Sequence, residues 1–182
     1  TGSTIISNLD QVSYGILLWR ALLQWLGGIG IIVMAVAILP MLSIGGMQLF
    51  KTESYETPDK IIPRAAIFAS GISIVYIVLS STWAFMLWLA GMPIFDSITH
   101  AMTTLATGGY STKSESLGAF NSVNIEMIIV FGMIIGSLPF IHYLSILKNG
   151  WKNLINDQQV KWFLLILFFL ISIVTFNLYI NG

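Results

Sequence analysis

From Val160 to Tyr179 the sequence reads VKWFLLILFFLISIVTFNLY, twenty residues with one charge, Lys161. A helix crossing the hydrocarbon core of a bilayer needs roughly 20 mostly apolar residues. Three more stretches have this character, from about Ile16 to Leu42, Ala65 to Ala90 and Ile125 to Leu147. A surface helix of a soluble protein keeps a broad polar face, and these runs do not. The 182-residue chain is only 9% charged, against about 25% in soluble domains. A water-soluble enzyme of this length is therefore excluded, and an all-α integral membrane protein with membrane lipid as its first partner is expected.

The few charges sort by connection. Lys51, Lys60 and Arg64 lie in the first, Lys148, Lys152 and Lys161 in the third, and Lys113 alone in the second. Arg20 sits inside the first apolar run. The positive-inside rule puts the linkers 44–64 and 148–161 in the cytoplasm and the segment 91–124 outward. Acidic and basic residues number eight each, so the basic excess that nucleic acid demands is missing. With no cysteine, neither disulfides nor Cys-ligated metals are available. The two histidines, His100 and His142, have no acidic partner at metal-ligand spacing, so no zinc site is expected.

Met92 to Thr112 reads MPIFDSITHAMTTLATGGYST and is the segment that does not span. Pro93 suits a first helical turn, and Phe95, Ile98, Met102 and Leu105 recur at near-helical spacing. The helical part is about 12 to 14 residues, roughly 20 Å at 1.5 Å per residue. That length fits a re-entrant half-helix. It runs into Thr107-Gly108-Gly109-Tyr110, and adjacent glycines open backbone shapes closed to other residues. Irregular backbone at membrane depth is tolerated where it lines a watery cavity. There its carbonyl oxygens can replace an ion's hydration shell, and the negative end of the half-helix dipole favours a cation. A plain loop turn is the bland alternative.

Thr1-Gly2-Ser3-Thr4 repeats the Gly-x-(Ser/Thr) pattern of Gly109-Tyr110-Ser111. Each copy precedes a polar linker and a long apolar run at similar spacing. Asp96 is expected to favour the half-helix dipole or cap it, and His100 to hold the half-helix by a hydrogen bond. Gly27, Gly28 and Gly30 suit close helix packing. Arg20 and Glu126 can snorkel to the interface. Pro139 should kink the third span, with His142 packed nearby. Two rivals stay open on the residues alone. One is an intramembrane hydrolase using Ser137 or Ser111 with His142 or His100; the other is a non-conducting membrane scaffold. No G-x-S-x-G or H-E-x-x-H motif supports the hydrolase, and no enzyme activity or cofactor is expected.

The run from Gly15 to Pro40, GILLWRALLQWLGGIGIIVMAVAILP, strongly resembles the TrkH potassium-uptake proteins of bacteria. Gly45-Gly46-Met47-Gln48-Leu49, the stretch Ala90 to Asp96 and the turn with Gly109-Tyr110-Ser111 are similar to the same family. The resemblance implies four span–pore-helix–span repeats around a potassium pore, each with a re-entrant glycine-rich filter loop. Residues 1–50 then match the end of the first unit, 51–60 a cytoplasmic linker, 61–148 the whole second unit, and 149–182 a linker plus the first span of a third. Gly2 and Gly109 match two filter glycines, with K+ held at each turn by Thr1, Gly2, Thr107, Gly108, Gly109 and Tyr110. Asp96 and His100 would support the pore helix. Also implied are a bacterial inner-membrane location, a chain that is part of a longer one, and the missing repeat units as partners. A cytoplasmic nucleotide-binding regulatory subunit and a homodimer complete the expected partners.

Overall fold

The structure is a computed structural model, and it describes residues 6, 8–42, 58–150, 154 and 157–181. Thr1 and Gly2, expected in the first filter turn, lie outside these residues, as do the Gly45–Leu49 motif and most of the first connection. Helix α1 runs Tyr14–Leu42 and α2 runs Pro58–Leu89. The half-helix α3 is Ile94–Leu105, followed by a 3₁₀ turn at Ser116–Phe120 and by α4, Val123–Ser137. Helices α5 (Phe140–Asn149) and α6 (Gln158–Asn181) complete the chain. All described elements are helical. Stretches of α1, α2 and α6 are long and apolar enough to cross a membrane.

The third apolar run departs from its expected form. Its composition suggests one span from Ile125 to Leu147, and the structure divides it into α4 and α5 at Leu138-Pro139. Proline has no N–H to give, and it pushes the residue before it out of the helical region. The chain also separates at this point into two compact units, Thr1–Ser137 and Leu138–Gly182.

In the first unit α3 packs against α1, α2 and α4. Its buried residues include Asp96, Ser97, Thr99, His100, Thr103 and Thr104, while Ile94 and Ile98 are exposed. The polar face is inside and much of the apolar stripe is outside, the reverse of a soluble helix. Polar groups that cannot reach water must find partners within the protein. Here hydroxyls bond back to the helix: Ser97 Oγ donates to the Pro93 carbonyl at 3.0 Å and Thr99 Oγ1 to the Phe95 carbonyl at 3.0 Å. Among the described residues no buried side-chain polar atom lacks a partner.

Side-chain hydrogen bonds lace the long helices together. Tyr76 Oη donates to the Trp25 carbonyl at 3.1 Å, and the Trp25 indole donates to Ser80 Oγ at 2.9 Å. The two rings stack with centroids 5.3 Å apart. Ser80 in turn donates to the Tyr76 carbonyl, so the serine bonds both a neighbouring helix and its own. Tyr76→Phe is expected to lower stability by about 1 kcal/mol, read as a lower melting temperature in detergent. An unchanged melt would show that the α1–α2 bond contributes nothing.

Gly28 carries out the close packing expected of it. An added Cβ there would lie 3.0 Å from Tyr76 Oη and 3.1 Å from Ala106 Cβ. Gly27 and Gly30 have nothing within 4 Å, so the packing role belongs to Gly28 alone of the three. On the other side of α3, the Trp83 indole crosses Gly132 of α4 and donates to the Ile128 carbonyl at 2.9 Å.

In the second unit, Asp157 Oδ1 accepts from the N–H groups of Gln159 and Val160 at 2.8 and 3.1 Å. It thus caps the orphan donors at the start of α6. His142 Nε2 lies 3.6 Å from Asp157 Oδ2, a polar contact beyond the packing role expected for this histidine.

Candidate functional site

The half-helix ends in a specific hydrogen-bond pattern. Thr107 N–H donates to the Thr104 carbonyl at 3.0 Å and Gly108 N–H to the Thr103 carbonyl at 2.8 Å. These are the two bonds of a Schellman motif, whose left-handed residue is usually glycine. Here it is Thr107, with φ 51°. A β-branched residue in that region is strained. Gly109 comes two residues later with φ 78°, which glycine adopts without cost. Thr107 and Gly109 are exposed; Gly108 and Tyr110 are half-buried.

The turn is tied down on both sides. Gln24 of α1 donates from Nε2 to the Gly108 carbonyl at 3.1 Å and accepts at Oε1 from Tyr110 N–H at 3.4 Å. From α3, Thr103 Oγ1 donates to the Tyr110 carbonyl at 2.8 Å. The Arg20 guanidinium sits 4.3 Å from the centroid of the Tyr110 ring, a cation–π contact. Arg20 is expected from the sequence to snorkel to the interface; the structure adds that its guanidinium stacks on the Tyr110 ring of the turn.

The two expected support residues, His100 and Asp96, anchor the segment Ser111–Lys113 beyond the turn. His100 Nδ1 lies 2.8 Å from the Asp96 main-chain oxygen. A carbonyl can only accept, so Nδ1 carries the proton and Nε2 accepts from Ser111 Oγ at 3.0 Å. Ser111 Oγ also accepts from Lys113 N–H at 3.0 Å. The imidazole meets Phe120 edge-on, with centroids 5.5 Å apart. Asp96 lies in the first turn of α3, but the helix has no side-chain cap. Its Oδ1 accepts instead from Thr112 Oγ1 at 2.6 Å. The carboxylate therefore pins the far end of the turn segment to the start of the half-helix.

Asp96→Ala would leave the buried Thr112 hydroxyl without that acceptor, at an expected cost of about 1–3 kcal/mol. Asp96→Asn keeps an acceptor oxygen and should recover most of it. Thermal unfolding in detergent checks both; two variants melting alike would show that the bond to Thr112 is not what Asp96 supplies.

Two clefts flank the turn. One, of about 290 Å³, lies towards α4 and is lined by His100, Thr104, Gly109, Ser111 and Met133 among others. The other, of about 480 Å³, lies towards α1 and is lined by Arg20, Gln24, Gly27, Thr107 and Tyr110 among others. Sequence reasoning names Thr107 to Tyr110, Asp96 and His100, and the structure brings all of them into one site. It misses Gln24, Thr103 and Thr112, and it pairs Ser111 with His100 only under the hydrolase rival, not as a support of the turn. A signal for Gln24 is present: with Arg20 it forms an i, i+4 polar pair inside an apolar run, and polar residues in spans face the protein interior.

The family model TrkH, described as a cation transport protein, matches residues 1–181. The chain is 42% identical over 178 residues to the Trk system potassium uptake protein TrkI of Halomonas elongata, covering 96% of this chain and 36% of that one. It is 38% identical over 185 residues to the Trk system potassium uptake protein TrkH of Escherichia coli K12, covering 100% and 38%. The crystal structure of the potassium transporter TrkH from Vibrio parahaemolyticus superposes with a TM-score of 0.77 at 38% identity, over 93% of this chain and 34% of that one. The chain thus spans little more than a third of the relatives it matches, and like them it is a multi-pass membrane protein. Match over nearly its whole length makes the chain a member of the TrkH family, a family of cation transporters rather than enzymes.

Proposed function

We propose that this chain forms part of a potassium pathway through the bacterial inner membrane, with K+ selected at the turn 107–110. The observation that carries the reading is an inward-facing polar half-helix ending in a strained, exposed turn of main chain. Such a turn offers carbonyl oxygens at the negative end of a helix dipole. Thr107 is held in its strained conformation by the hydrogen bonds around it, and backbone of this kind clusters at ligand sites. The potassium uptake named for the relatives agrees with this chemistry. No bond is made or broken, and the site asks for no cofactor.

In this reading residues 1–50, 61–148 and 149–182 belong to successive span–half-helix–span units, and Gly2 is the counterpart of Gly109. The partners are further repeat units, a cytoplasmic nucleotide-binding regulatory subunit and a second copy of the protein. Linkers 44–64 and 148–161 face the cytoplasm and 91–124 faces outward, as the basic residues favour. The test is crystallographic. The intact protein grown in rubidium is expected to show anomalous density within coordination range of the turn's oxygens. Rubidium ordered only away from residues 107–110 would sink the reading.

A further inference from the structure

We infer that Gln24, on a helix distant in sequence from the turn, is a positioning residue for cation selection that aims the Gly109 carbonyl. The inference rests on the proposed filter role of residues 107–110 and extends it to a side chain of the neighbouring unit. One amide engages two consecutive peptide groups. The donor bond to the Gly108 oxygen fixes the peptide before Gly109, and the acceptor bond from Tyr110 N–H fixes the peptide after it. In a trans peptide the C=O and N–H point in opposite directions. Tyr110 N–H points at Gln24, so the Gly109 oxygen points away from α1; Gly109 lines the cleft towards α4 and not the one towards α1.

Few side chains can do this. A primary amide presents a donor and an acceptor in one plane; leucine offers neither, and a carboxylate offers only acceptors. The approach is close: a Cβ on Gly108 would run into the Gln24 amide. Arg20, one turn earlier on the same face of α1, covers the Tyr110 ring and keeps the segment seated. Thr103 holds the Tyr110 carbonyl from α3. The turn is thereby gripped by its own half-helix and by the span of the preceding unit.

The experiment uses the intact protein in proteoliposomes, reading 86Rb+ uptake and its competition by K+ and Na+. Gln24→Met keeps the length and removes both hydrogen bonds; Gln24→Asn keeps the amide but draws it back by one methylene. Each is expected to lower the K+/Na+ preference about three- to tenfold, with 86Rb+ uptake retained. A wild-type preference in whichever variant reaches the membrane, at full or reduced rate, overturns the inference. Gly109→Ala is run beside them. If it alone shifts the preference, the filter reading stands and the role of Gln24 falls. If no variant shifts it, both fall.

Discussion

Gly109→Ala is expected to lose most of the preference of the intact protein for K+ over Na+. The residue sits at φ 78°, where an L side chain costs about 1–2 kcal/mol. An added Cβ meets nothing within 4 Å, so the effect is one of backbone preference and not of collision. Alanine can relieve it only by rotating the peptides on either side, which carry the Gly108 and Gly109 oxygens. That energy corresponds to roughly a five- to thirtyfold change in relative occupancy, read as ion competition for 86Rb+ uptake. Gly91→Ala is the matched control. Gly91 has φ 97° and equally open surroundings, but it lies in the turn between α2 and α3. It should show a similar loss of thermal stability with wild-type ion preference. Equal preference in both variants would remove Gly109 from the ion path.

Gly136→Val is expected to give the largest loss of folded protein. A Cβ at Gly136 would lie 3.0 Å from the Leu105 carbonyl oxygen, 3.2 Å from Leu105 Cα and 3.3 Å from the Thr104 oxygen. All three are backbone atoms at the end of the half-helix, which cannot swing aside as a side chain can. Overpacking of this kind costs about 1–3 kcal/mol. Moving the end of α3 would also displace the Schellman bonds that set Thr107 and Gly108. A lower melting temperature and less protein in the membrane fraction are the readouts. Gly136→Ala should show the same effects more weakly. A variant that melts with the wild type would mean that α4 does not pack on α3 as described.

The half-helix α3 marks the limit of what sequence can tell. Its length, its start near Pro93 and its end before the paired glycines are legible, because they are local properties of composition and backbone chemistry. The direction in which it faces is not. Phe95, Ile98, Met102 and Leu105 mark an apolar stripe, yet only Leu105 of the four is fully buried. Periodicity says that two faces differ; the surroundings decide which one turns inward. Thr107 is equally opaque, since nothing in a β-branched residue announces a left-handed backbone. Pro139 announces a disturbance, and the chain answers it with a break between α4 and α5.

Composition and local backbone chemistry are enough to fix the solvent and the elements. Runs of about twenty apolar residues leave a helix in a bilayer as the stable state, since every backbone polar group must be satisfied within the segment. They are also enough to allow a sharp bend at Gly108-Gly109, because glycine lacks a Cβ. Which way the oxygens of that bend are held depends on packing in three dimensions. Gln24 reaches Gly108 and Tyr110 across 84 and 86 residues, and a hydrogen bond between residues so far apart exists only after α1 and α3 have packed. Side-chain reach is fixed by the chain's chemistry, but what lies within reach is fixed by the fold.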